Sequence, residues 1–220
     1  MADGLSYVPF KPGPGLVEHI ASHIEHEIVA GILRSGDHIQ ETRVVSQLGV
    51  SRGSVRESFR VLERRRLIDV IPRRGAVVTS LSPSRVQDLT TVLPIILTHV
   101  ISELVPAWSP KYSSLLEAAM HASESKFGCI NPVSVLEAIC RLHPNTVYRE
   151  LIDDLIPTFD RVFSKLVRLN LAGVESLDRK LKTKLIPAIE AGQINESVHQ
   201  VSELCRSLER KYLETLERTG

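Results

Sequence analysis

The sequence predicts a mainly α protein in two parts: an N-terminal part that joins helices to a β-hairpin, and a C-terminal all-α part. Two observations predict this class. Apolar residues recur at helical spacing over most of the 220 residues. The spacing changes clearly only once, in two β-branched runs that flank Pro72 to Gly75. With 43% hydrophobic and 24% charged residues, the composition is typical of a globular protein, and the length allows each part a core of its own.

The N-terminal part begins with a predicted flexible or extended leader over residues 1–15, which ends in "KPGPG". The first helix is predicted from a stripe of isoleucines four residues apart, the second ends at Gly49, and Ser51 is suited to cap the third. In order, the elements are helices over residues 16–33, 41–48 and 51–66 and a hairpin over residues 67–81. This order predicts a winged helix-turn-helix domain over residues 16–81.

The third helix separates its apolar residues from its arginines. Val55, Phe59 and Leu62 form the predicted core stripe. On the opposite side lie Arg52, Arg56 and Arg60, with the small residues Gly53 and Ser54 near the helix start. Like charges at this spacing repel one another, so such a face favours a polyanionic partner, whose phosphates and guanine edges a guanidinium can bind in bidentate fashion. A solvated arginine-rich helix is the alternative, and the adjoining turn and hairpin argue against it.

The charge distribution points the same way, although the net charge of the chain is only +1. Residues 43–74 contain nine arginines against three acidic residues, whereas residues 1–42 contain two basic residues against six acidic ones. Positive charge is therefore concentrated on the predicted helix-turn-helix and hairpin, as a nucleic-acid-binding surface requires.

The stretch "IVAGILRSGDHIQETRVVSQLGVSRGSVRESFRVLERRRLIDVIPRRGAVVTSL" resembles the DNA-binding domain of the GntR family of bacterial transcription regulators. The resemblance covers about residues 16–81 and departs from the family at "RSG", where a proline is common. It implies DNA contacts from the second helix, the recognition helix and the wing. The predicted contact residues are Arg43, Arg52, Gly53, Ser54, Arg56, Arg73, Arg74 and Gly75. It further implies a cytoplasmic homodimer that binds an inverted repeat in double-stranded DNA, most simply as a repressor.

The C-terminal part, residues 84–220, is predicted to form helices over residues 84–106, 110–127, 132–143, 145–172, 175–191 and 193–218. It resembles the FadR-type (FCD) effector domain. Many such domains hold a metal ion with one aspartate and three histidines, and the corresponding positions here fall on or near Pro132, Leu136, Lys182 and Leu204. None of these side chains can bind a divalent ion, so no metal and no cofactor is predicted.

Apolar residues in place of the ligands leave two interpretations of this domain open. Either its pocket, with Leu93, Leu97, Leu136 and Leu204 as the predicted lining, binds an apolar small-molecule effector, or the space is filled and the domain only dimerises. The second interpretation describes a DNA-binding dimer that responds to no effector.

Other features exclude further classes. The cysteines, Cys129, Cys140 and Cys205, are odd in number and widely spaced, which fits a reducing cytoplasm rather than a disulfide framework. Polar residues interrupt the apolar stretch Val92 to Val105, so no membrane span is expected. No nucleophile elbow or glycine-rich phosphate loop is present, which argues against an enzyme. Three histidines of the first helix, at positions 19, 23 and 26, are interpreted as a solvated face rather than a metal site.

Overall fold

The computed structural model describes residues 15–124, 129–169 and 171–219. Its contacts divide the chain into two compact units, one that ends at Leu81 and one that begins at Ser82. They are called the winged unit and the helical unit below. The predicted fold class is confirmed, because the first unit combines three helices with a small sheet and the second is built from helices. Of the predicted leader, only Gly15 lies within the described residues.

The winged unit contains α1 (Leu16–Val29), β1 (His38–Ile39), α2 (Glu41–Leu48), α3 (Arg52–Arg64), β2 (Ile68–Ile71) and β3 (Gly75–Val78). The strands form an antiparallel sheet in the order β1-β3-β2. Strand β1 was not predicted, because two residues are too few to show an alternating pattern. Helix α1 ends four residues earlier than predicted, and Gly31, with φ of 73°, turns the chain away from the helix axis.

The core of the winged unit joins α1, α3 and the sheet. Ile20, Ile24 and Ile28 of α1 are fully or almost fully buried, and Phe59 and Leu62 of α3 are buried with them. Each such side chain contributes about 1.5–3 kcal/mol relative to leaving it in water. The fold therefore turns the opposite side of α3, which carries the arginines, toward solvent.

An ion-pair network ties the end of α3 to α1. The guanidinium of Arg65 is buried and donates hydrogen bonds to the carboxylates of Glu25, at 2.9 Å, and Glu18. The next residue, Arg66, adopts a left-handed backbone conformation with φ of 56°, which lets the Leu67 amide donate to the Leu62 carbonyl at 3.0 Å and ends the helix. Glycine is the usual residue at such a position, so Arg66 introduces backbone strain.

The helical unit contains α4 (Pro83–Leu104), a 3₁₀ turn (Val105–Ala107), α5 (Pro110–Ala122), α6 (Pro132–Leu142), α7 (Thr146–Leu169), α8 (Leu171–Lys180), a π-helical turn (Leu181–Leu185), α9 (Ile186–Glu190) and α10 (Ile194–Thr219). The helix predicted over residues 175–191 is present, but it begins earlier, at Leu171, and contains the π-helical turn, so α8, this turn and α9 follow one another without a break. The widened turn lies just before Pro187, whose ring lacks the amide hydrogen that a regular helix would use. The end of the helix predicted over residues 110–127 lies partly outside the described residues.

Helix α4 lies in the core of the helical unit, where it packs against α10, α7 and α6. Leu93, Leu97 and Ile101 of α4 are buried, as are Phe159 of α7 and Tyr212 of α10. Cys129, Cys140 and Cys205, which all lie in the described ranges, are buried and form no disulfide bond. Burial raises the pKa of both Cys140 and Cys205 to about 12.

The composition of α4 also resembles that of a membrane span. Residues Pro83–Ala107 contain a window with mean hydropathy of 1.6, so the polar interruptions noted in the sequence do not exclude a span by composition alone. In the structure, 44% of that window is buried, and a helix in the core of a water-soluble protein has a similar length and hydropathy. On its solvent side, Val92 is 46% exposed and Ile95 is 66% exposed.

Candidate nucleic-acid interface

Helix α3 is started by a side-chain cap. The Ser54 amide donates to the Ser51 hydroxyl oxygen at 3.1 Å, and the hydroxyl oxygens of the two serines lie 2.9 Å apart. This bond satisfies one of the amide groups that the first turn of a helix leaves without a partner. The cap fixes where α3 begins, and therefore which of its residues are exposed.

The exposed side of α3 presents Arg52, Arg56 and Arg60, as the sequence pattern predicts. Arg60 donates to the Glu57 carboxylate at 2.8 Å, one turn away on the same helix. Side chains of Arg56 and Arg60 remain 64% and 73% exposed. Both guanidinium groups can thus reach an external anion.

Arg56 is held by a carboxylate of the neighbouring helix. Its Nε donates to both carboxylate oxygens of Glu41 in α2, at 3.1 and 3.0 Å. Among the described residues the hydrogen bonds of Arg56 come from Nε, so the N–H groups of its terminal amino groups are available to a further acceptor. This is the arrangement that a bidentate contact with a base edge or a phosphate requires.

The turn between β2 and β3 places two further arginines at the tip of the wing. The Arg74 amide donates to the Ile71 carbonyl at 3.0 Å and closes a four-residue turn with Pro72 and Arg73 in the middle. Arg73 has φ of 64°, the left-handed conformation that a type II turn requires at its third residue. The strained backbone exposes the side chains of both Arg73 and Arg74.

Gly75 brings the wing against β1. It has φ of 91°, and a Cβ atom at this position would lie 2.3 Å from the Ile39 carbonyl oxygen. Only glycine therefore fits between the wing and β1 without moving one of them.

A groove of about 780 Å³ lies between α3, the start of α2 and the wing. Its charged lining consists of four arginines and one carboxylate, at Arg56, Arg60, Arg73, Arg74 and Glu41. His38, Gln40, Thr42 and the wing backbone at Gly75 complete the polar part of the lining. A concave surface with this excess of guanidinium groups concentrates positive potential where a nucleic-acid strand would lie.

The structure brings the predicted contact residues together only in part. Arg56, Arg73, Arg74 and Gly75 line the groove. Arg52, Gly53 and Ser54 lie at the start of α3, outside the groove lining, and Arg52 and Gly53 are exposed there.

Arg43 lies apart from this group. Instead of lining the groove, it faces a second cavity, where it interacts with the carboxylate of Glu27 in α1. The α2 residues that do line the groove are Glu41 and Thr42. Sequence reasoning missed Thr42, because α2 has a single buried residue, Val44, which gives too weak a periodicity to orient an eight-residue helix. It missed His38 because the two-residue strand β1 was not predicted.

In the helical unit, three of the four positions at which the sequence resemblance predicts the replaced metal ligands lie together. Pro132, Leu136 and Leu204 line a cavity of about 10 Å³, which has room for about one water molecule. Lys182 is exposed, and its Nζ lies 3.0 Å from the Asp178 carboxylate, so this position does not join the others. Within the described ranges, no three His, Cys, Asp or Glu side chains are placed to hold a metal ion.

Three of the four predicted effector-pocket residues line the same small cavity. Leu93, Leu136 and Leu204 line it, and Leu97 is fully buried but is not part of the lining. The rest of the lining is formed by Pro132, Val133, Phe159, Cys205 and Leu208. The space is far below the roughly 300–1,000 Å³ of an ordinary small-molecule pocket.

Residues 16–78 match the family of bacterial regulatory proteins named gntR. The gluconate operon transcriptional repressor of Bacillus subtilis (strain 168) is 30% identical over 86 residues, which are 39% of this chain and 35% of the relative. The HTH-type transcriptional regulator YdhC of the same organism is 32% identical over 79 residues, or 36% of this chain and 35% of the relative. The match thus spans about a third of each curated relative. These relatives are named as transcription regulators, not as enzymes.

Solved structures with similar folds cover nearly the whole chain. A structure from Rhodococcus sp. RHA1, assigned to the GntR regulators, has a TM-score of 0.72 at 18% identity and covers 91% of this chain and 99% of its own. E. coli McbR/YncC has a TM-score of 0.70 at 16% identity and covers 94% of this chain and all of its own. At these identities the likeness shows a shared fold, which includes the helical unit.

Proposed function

Residues 16–78 form a helix-turn-helix domain of the GntR family, and from this premise we propose that the chain is a cytoplasmic transcription regulator that binds double-stranded DNA. In this proposal α3 enters the major groove, and the wing contacts the adjoining backbone. The observation that carries it is the groove with four arginines on its walls, two from α3 and two from the wing tip. The terminal amino groups of Arg56 serve base edges or phosphates, while Arg73 and Arg74 serve phosphates.

Repression is the mode of action that the relatives support, since the gluconate operon protein of Bacillus subtilis is named as a repressor. A repressor acts by occupying its operator, so it needs a sufficient affinity for one defined DNA site. Two copies of a recognition helix related by a two-fold axis provide this by binding the halves of an inverted repeat.

Dimerisation is assigned to the helical unit in this proposal. Its support is the exposed apolar surface of two helices: Val92 and Ile95 on α4, and Val147 and Leu151 on α7, which are 55% and 45% exposed. The two helices meet at an edge-to-face contact between His99 and Tyr148, whose ring centroids lie 5.8 Å apart. Apolar side chains of this size on neighbouring helices are typical of a protein interface.

The small cavity in the helical unit favours the effector-independent alternative at that location. A space of about 10 Å³ cannot hold an apolar effector without repacking the surrounding side chains. In this second proposal the helical unit clamps two copies together and does not respond to a metabolite through its centre.

The test is DNA binding by an arginine variant and its matched control. Arg56→Ala is expected to weaken binding to an operator selected from random DNA by about 1–3 kcal/mol, or about 5- to 150-fold. Arg34→Ala removes the same charge from an exposed position of the winged unit that does not line the groove. Mobility-shift titrations at fixed salt measure both, and an Arg56→Ala variant that binds as tightly as Arg34→Ala would contradict the assignment of α3.

A further inference from the structure

A second cavity of about 290 Å³ lies in the winged unit, away from the arginine groove. It is enclosed by the C-terminal half of α1, the segment that leads to β1, and α2. We propose that this cavity binds a small uncharged molecule with a hydroxyl group at one end and an apolar body. The site lies in the DNA-binding unit and is independent of the helical unit.

Six of the twelve residues that line the cavity are aliphatic. Ile24, Leu33, Ile39, Val44 and Leu48 contribute to the lining, together with Ile32 near the surface. Ile32 is 52% exposed, which is unusual for a side chain of this size. An apolar ligand body would remove this surface from water, and area burial would drive its binding.

One end of the cavity carries two polar side chains, His23 and Glu27. Glu27 is only 6% exposed, and no residue that the structure describes donates a hydrogen bond to its carboxylate. Nε2 of His23 is buried and also lacks a hydrogen-bond partner. The nearest approach of the two side chains, from His23 Nε2 to Glu27 Oε1, is 3.8 Å, too long for a hydrogen bond.

Of the two side chains, His23 supplies the buried atom that no described residue satisfies, and leaving such an atom without a hydrogen bond is costly. A hydroxyl group serves both, because its oxygen can accept from His23 Nε2 while its hydrogen is donated to Glu27. The charged groups of the lining do not favour an ionic ligand, because the positive Arg43 is accompanied by the acidic residues Asp37 and Glu27. Gln47 and His38 also belong to the lining.

The ionisation of the two groups is consistent with an uncharged ligand. Burial raises the pKa of Glu27, although the charge of Arg43 opposes the shift. Burial, and then the neighbouring His26, lower the pKa of His23. Both shifts favour the neutral forms, which bind an alcohol or a phenol better than they bind an ion.

The test is an amide chemical-shift titration of the ¹⁵N-labelled full-length protein with p-cresol and, separately, with toluene. p-Cresol has the hydroxyl head and the apolar ring, and toluene has only the ring. Saturable shifts are expected at the cavity lining, between Ile24 and Leu48, with p-cresol at least about tenfold tighter than toluene.

Matched variants locate the polar contact. His23→Leu and Glu27→Leu are expected to abolish the preference for p-cresol over toluene. His26→Leu makes the same change three residues along α1 at an exposed position outside the lining, and should leave the preference intact. Absence of saturable shifts with p-cresol would show that the cavity holds only water and would overturn the proposal. Equal affinity for the two compounds in the unsubstituted protein would overturn the hydroxyl contact.

Discussion

Gly75→Ala should destabilise the winged unit more than any other glycine-to-alanine change in it. Two costs combine at this position. An alanine with φ of 91° lies outside the usual region for L-residues, which costs about 1–2 kcal/mol. The added Cβ would also lie 2.3 Å from the Ile39 carbonyl oxygen, so β1 has to move by roughly 1 Å to restore van der Waals distance.

That movement disrupts the short pairing between β1 and β3, which consists of His38 opposite Val77 and Ile39 opposite Ala76. Lost backbone hydrogen bonds cost about 0.5–1.5 kcal/mol each. The expected total is about 3 kcal/mol or more. For a domain of this size, each kcal/mol lost from the unfolding free energy lowers the thermal unfolding midpoint by about 4–8 °C. The midpoint of the winged unit should therefore fall by about 12 °C or more.

Gly36→Ala is the matched control. Gly36 has a similar φ of 87°, but a Cβ there would meet no atom within 4 Å. Its expected cost is the backbone strain alone, about 1–2 kcal/mol. Hydrogen exchange of the full-length protein, resolved by peptide, measures the opening free energy of each unit in both variants. Equal losses in Gly75→Ala and Gly36→Ala would refute the collision with Ile39 as the source of the difference.

Three further changes have definite expected outcomes. Arg66→Gly should raise the unfolding free energy by about 1 kcal/mol because φ is 56° there, whereas Arg64→Gly, within α3, should lower it by about as much; denaturant unfolding measures both, and a loss in Arg66→Gly would contradict the strain assigned to it. Ile95→Asp should give monomers in sedimentation, while Leu115→Asp, at an exposed apolar residue of α5, should leave the dimer unchanged. Because burial raises the pKa of Glu27, the native state binds the proton of this carboxyl group more tightly than the unfolded state does. The native state therefore loses stability as the pH rises from the ordinary pKa of a glutamate through the raised pKa of Glu27. Glu27→Leu should therefore stabilise the protein more at pH 7 than at pH 4, as thermal melts at the two pH values can show.

The sequence was most informative where several local signals agreed. Helix α3 has a regular apolar stripe, a capping serine at position 51 and a glycine-containing turn before it, and it formed within two residues of the predicted bounds. The π-helical turn before Pro187 could not be predicted, because a proline inside an apolar periodic stretch is compatible with a kink, a π turn or a new helix. Packing against neighbouring helices decides among them.

The candidate interface was predictable to a similar degree. Periodicity placed Arg56 on the exposed side of α3, and the turn composition placed Arg74 and Gly75 at the wing. Arg43 was expected beside them but faces the other side of α2. The size of the cavity around Leu136 was beyond sequence reasoning, since it depends on how closely side chains interlock across helices that are distant in the chain.

The buried thiols of the helical unit have a practical consequence for measuring stability. All three cysteines follow residue 82, so none belongs to the winged unit. With a pKa of about 12, only about one Cys140 or Cys205 side chain in 10⁵ is a thiolate at pH 7, and both are shielded from solvent. A thiol reagent can therefore modify them only when the surrounding helices separate. The rate of labelling at Cys140 and Cys205, resolved by peptide, therefore measures how often the helical unit opens, and these two native residues serve as the probes.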